Sequence, residues 1–175
     1  MKPSRMVAYA SISAAFATVF LSIGEFFPSF SLSAAFMASL AMMIPLTKKS
    51  YIGTFLAYVS SAILSFLITG FRFEGVLPFA VFFGLHPLAN AIIEDKKINK
   101  VVGFVVKDVW FVGAAYLTYF LTDFTSGGTI SSNEFISNNI IWIIGVSCAI
   151  VFIVYDLCMK YFQKKLNVIV EKLKL

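Results

Sequence analysis

Residues 6–27 read MVAYASISAAFATVFLSIGEFF, a run whose only charged member is Glu25 and which follows Lys2 and Arg5. A secretory signal carries an apolar stretch of about 7–15 residues that ends at a small-residue cleavage site. This run is longer and is followed by further apolar runs, so it reads as the first of several membrane crossings. Composition leads to the same reading. Apolar residues make up 59% of the 175 positions and charged residues 13%, against roughly a quarter charged in a soluble domain. A globule of this length exposes too much surface to hide that much apolar area.

Five more apolar runs follow: Leu32 to Leu46, Tyr51 to Ile68, Val76 to Ile93, Val101 to Leu121, and Ile136 to about Tyr155. The sequence therefore predicts an all-α membrane protein, with six transmembrane helices over residues 1–158 and a basic amphipathic tail over 159–175. The second run is short. Its fifteen helical residues reach about 22 Å against a hydrocarbon core of about 30 Å, so it must start in the interface, thin the bilayer or be shielded by neighbours. Asp123 to Ser132, with Gly127 and Gly128, reads as an exposed loop. In the tail, Phe162, Leu166, Ile169 and Leu173 recur at helical spacing among five lysines. That pattern suits an anionic leaflet, a docked partner or a solvated helix end.

Positive charge sets the orientation. Lys2, Arg5, Lys48, Lys49, Lys96, Lys97, Lys100 and the tail lysines fall on one side of the six crossings, and Arg72 stands alone on the other. By the positive-inside rule both termini are cytoplasmic, in a multi-pass protein of the cell membrane.

The net charge of +5 thus belongs to the ends of the crossings, and nucleic-acid binding is not expected. Cys148 and Cys158 on one helix sit about 15 Å apart, beyond disulfide reach. His86, the single histidine, has no Cys or carboxylate at ligand spacing, so no metal is expected. Nucleophile-elbow, zinc-protease and Walker motifs are absent, and the chain is read as neither an enzyme nor a cofactor carrier.

Three constellations stand out. Small residues recur four apart in the first run (Ala10 and Ala14, Ser11 and Ala15) and in the third (Gly53, Ala57, Ser61, Ser65). Such ridges serve internal helix packing or a docking face for another membrane subunit. In the fourth run, Pro87 removes a backbone donor and predicts a kink beside His86. His86 and Asn90 share a face there, at the depth of Lys107 and Asp108, which predicts a buried polar cluster with a His86–Asp108 contact. On the outer side, Glu25, Arg72, Glu74, Asp123 and Glu134 fall near Phe30, Tyr116, Tyr119 and Trp142, with Asn133, Asn138 and Asn139. A net-negative, aromatic and amide-lined cup suits a flat neutral or cationic small molecule better than an anion, unless it is an ordinary interfacial belt.

In length, span number and small-residue ridges the chain resembles the substrate-binding S components of energy-coupling factor vitamin transporters. That resemblance implies a subunit that captures a vitamin or similar nutrient from the outer side. A transmembrane coupling subunit and ATP-binding-cassette ATPases would energise it. It implies docking of the coupling subunit through Ala10, Ala14, Gly53 and Ala57, and a ligand pocket drawn from Glu25, Arg72, Glu74, Tyr119, Asp123, Asn139 and Trp142. The stretch Phe82 to Leu88 is also similar to a segment of uncharacterised membrane proteins from low-GC Gram-positive bacteria. A second expectation, from resemblance to small multi-span proteins of the rod-shape machinery, is a scaffold in a cell-envelope complex.

Overall fold

The computed structural model describes residues 3–126 and 134–172. Among them the chain is all-α, without strands. Helix α1 spans Pro3–Phe26. A 3-10 turn, Pro28–Phe30, leads into α2 (Ser31–Ala41) and the short α3 (Met43–Leu46). Then come α4 (Tyr51–Ile68), a π-helical turn (Phe79–Phe83), α5 (His86–Asp95), α6 (Lys100–Ser126) and α7 (Glu134–Lys172). Five stretches are long and apolar enough to cross a membrane: α1, Pro28–Leu46, α4, most of α6 and the bulk of α7. With large apolar side chains such as Ile52, Val101 and Val109 facing outward, this is a membrane-embedded bundle.

The second crossing gains length and shelter together. The 3-10 turn starts it at Pro28 rather than Leu32, and half of its residues are buried, more than in any of the other four. Pro45 has no N–H for the carbonyl of Ala41, and Ser13 Oγ on α1 donates to that oxygen instead, at 2.6 Å.

The fourth crossing is not the single helix expected over Val76 to Ile93. Gly84 N–H reaches back to Phe79 O (2.8 Å) and Leu85 N–H to Phe82 O (3.1 Å). These are the N–H groups that a regular α-helix would bring to Ala80 O and Val81 O. Two side chains from neighbouring helices replace them: Tyr58 Oη donates to Ala80 O at 2.6 Å and Trp110 Nε1 to Val81 O at 3.1 Å. Pro87 then falls in the first turn of α5, where a missing N–H costs nothing. The kink therefore lies ahead of the proline. Within lipid an orphan carbonyl has no water to turn to. Tyr58→Phe and Trp110→Phe are each expected to destabilise the protein by about 1–3 kcal/mol, measured by denaturant titration in mixed micelles. Substitution of the exposed Phe120 by leucine is the control.

Two groups of helices surround this broken rod. Helix α1 packs on α2 and α4, while α6 packs on α7. Ala10, Ala14 and Ala17 are buried on the inner side of α1, as are Ala35 and Ala38 of α2 and Ala57 of α4. Between the groups lies an aromatic core around Phe82, whose ring meets Trp110, Phe111, Phe152 and Tyr155 at 4.8–6.1 Å.

Helix α7 runs unbroken through the boundary drawn between residues 158 and 159. Its 39 residues reach about 58 Å, nearly twice the hydrocarbon thickness. Helix α6 likewise continues to Ser126, through Asp123, which the sequence had placed in a loop. Residues 127–132 of that loop, and residues 173–175 of the tail, lie outside the described residues.

Candidate functional site

The end of the bundle away from Pro3 and Lys172 carries a cleft. Helix α4 stops there in a Schellman motif. Gly70, at φ 70°, sends its N–H to Leu67 O, and Phe71 N–H returns to Phe66 O at 2.8 Å. The Phe66 and Phe71 rings close the motif with centroids 5.2 Å apart. Only glycine holds such a left-handed position without steric cost. The reversal lays residues 72–75 over the last turn of α1, where Glu25 Oε2 accepts from Gly75 N–H at 2.6 Å. Gly75 has to be small, because a Cβ would collide with the Glu25 carboxylate. The resulting cleft, about 510 Å³, is lined by Glu25, Arg72 and Glu74, with Phe71, Phe73 and Pro28 among its apolar walls.

Three of the seven expected ligand residues thus share one cavity. Tyr119, Asn139 and Trp142 do not line it. Trp142 is 76% exposed on α7, and Tyr119 and Asn139 sit half-buried on α6 and α7. The side chain of Asp123 lies outside the described ones, as do those of Glu134 and Asn138; Asn133 is outside the described residues altogether. Helices α6 and α7 are instead bound to each other, with Tyr116 Oη donating to Ile141 O at 2.6 Å beside Gly145. Equal depth had grouped these residues, but depth does not fix the side of a bundle on which a residue stands.

Ala10, Ala14, Gly53 and Ala57 are all buried. Gly53 faces Met6 of α1, where a Cβ would approach Met6 Cγ to 3.2 Å. These small residues are used in packing within the chain. The small side chains left exposed on α1 are those of Ser4, Ala8, Ser11 and Ala15.

Nearer the other end lies the buried polar cluster. Lys107 (3% exposed) donates to Asn90 Oδ1 at 2.5 Å and to Oδ1 of Asp156, itself 2% exposed. Lys160 Nζ donates to Asp156 Oδ2 at 2.5 Å. His86, fully buried, places Nε2 3.3 Å from Asp156 Oδ1, but without the alignment of a hydrogen bond. Its ring packs against Phe82 and Tyr155 at 5.0 and 4.8 Å. One carboxylate thus joins α5, α6 and α7.

Structure and sequence reading part company over the acid. His86, Asn90 and Lys107 come together, but their carboxylate is Asp156. Asp108 Oδ1 is buried without a hydrogen-bond partner. Consecutive helical residues point about 100° apart, so Lys107 and Asp108 cannot serve one partner. In the sequence Asp156 follows the last apolar run by one residue and looks like an exit charge. The usable signal was its level with Lys107 across antiparallel helices, with Lys160 four residues on. Among the described residues no group of three or more His, Cys, Asp or Glu side chains is placed to hold a metal ion.

Comparison of the chain with protein-family models, with curated proteins and with solved structures returned no match.

Proposed function

We propose that this protein is the substrate-capturing membrane subunit of an ATP-energised uptake transporter, taking a vitamin or similar small nutrient into the cleft beside Glu25. The cleft is the observation that carries the reading. It is concave and part polar, of a size that suits a small metabolite, and it opens at the end that bears Arg72 as its one basic residue among those described. Lys48, Lys49, Lys96, Lys97 and Lys100 gather at the other end, which by the positive-inside rule is cytoplasmic. In this reading the chain lies in the cell membrane, both termini face the cytoplasm, and ligand enters from outside.

The sequence has no nucleotide-binding motif, so energy comes from partners: a transmembrane coupling subunit with ATP-binding-cassette ATPases. Burial of Ala10, Ala14, Gly53 and Ala57 moves the proposed docking face to the exposed side of α1, around Ala8, Ser11 and Ala15. Affinity purification of the tagged protein from its own membranes tests this. Recovery of ATP-binding-cassette subunits, lost in Ser11→Phe, is the expected result. Recovery of wall-synthesis or division proteins instead is what a scaffold gives.

A further inference from the structure

We infer that the cleft selects an organic ligand bearing a protonated amine, which sets its ammonium group against Glu25. The inference rests on the cleft being a ligand site and adds the ligand's chemical class. Glu25 is 8% exposed. A carboxylate offers about four acceptor positions over its two oxygens, yet the only donor it takes from the described residues is Gly75 N–H, on Oε2. None of the described cations pairs with it: Lys49 is on Asp95, and Lys107 and Lys160 are on Asp156.

Oε2 is taken by Gly75, while Oε1 is not sealed in the protein and opens on the cleft that Glu25 lines. The burial is imposed by the fold, since the Schellman turn of α4 lays Gly75 on Glu25. The free acceptor capacity therefore belongs to whatever enters. The rest of the lining agrees: Phe71 and Phe73 offer ring faces that attract an ammonium group. The volume is far more than a bare metal ion requires, which points to an organic cation.

Thermal unfolding of the purified full chain in detergent tests this with probes that share a phenol ring and differ in charge. These are tyramine (cation), N-acetyltyramine (neutral) and 4-hydroxyphenylacetate (anion), with calcium chloride as an inorganic control. Tyramine alone should raise Tm, and Glu25→Gln, whose amide oxygen still accepts from Gly75, should weaken its apparent Kd at least tenfold. Equal stabilisation by the neutral, anionic or calcium probe overturns the inference, and the wild-type series decides this even if Glu25→Gln does not fold. A tyramine effect that survives Glu25→Gln overturns it too. A protein that carries a co-purified small molecule but ignores tyramine refutes the ammonium assignment while leaving ligand capture intact. One that neither carries a molecule nor responds to any probe counts against both.

Discussion

Asp156→Ala is expected to cost about 3–5 kcal/mol of unfolding free energy. The reason is what remains. Lys107 is 3% exposed and would keep its ammonium group in the bundle interior, held only by the amide oxygen of Asn90. Lys160, over half exposed, can turn to solvent and loses little. Removing both members of the inner pair is a different experiment. In Lys107→Met/Asp156→Leu no uncompensated charge stays behind, and stability should return to within about 2 kcal/mol of the wild type. Denaturant titration of the two single variants and the double variant measures the difference. A double variant as unstable as the sum of the singles would show that the pair holds the helices by more than charge balance.

Gly84→Val should destabilise by about 3 kcal/mol, from overpacking and a lost hydrogen bond together. A Cβ at Gly84 would stand 2.5 Å from Tyr58 Cδ2 and 2.8 Å from Phe79 Cζ. The Tyr58 ring is not free to withdraw, because its hydroxyl serves the carbonyl that the π-helical turn leaves open. Relief of the clash breaks that bond, and keeping the bond keeps the clash. Gly113→Ala is the matched control: a Cβ there meets nothing within 4 Å, so the change should be neutral or slightly stabilising in a helix interior. Melting temperatures of the two variants in one detergent give the comparison.

The bundle was legible because lipid imposes a simple rule on sequence: each crossing must be a long apolar run with its charges at the ends. That rule located α1, α4, α6 and the bulk of α7. It failed where backbone hydrogen bonding decides the outcome. Nothing in the run from Val76 to Ile93 announces that Gly84 and Leu85 will bond out of α-helical register, because the compensation comes from Tyr58 and Trp110 on other helices. The start of the second crossing was missed for a related reason, since Pro28 reads as a stop although it opens a 3-10 turn. In the candidate site, Glu25, Arg72 and Glu74 were found by charge at the membrane edge. Their separation from Tyr119, Asn139 and Trp142 was not, because helix order along the chain does not state which helices face which. The docking ridge was legible as a ridge, but whether it faces a partner or a neighbouring helix depends on the register of α1 against α4.

Native mass spectrometry of the purified protein tests ligand capture at the cleft most directly. Wild-type protein should carry one small molecule per chain, and Ser31→Trp, which fills the cleft from α2, should fly empty with its fold retained. An empty wild type, or a bound molecule that persists in Ser31→Trp, would contradict the account.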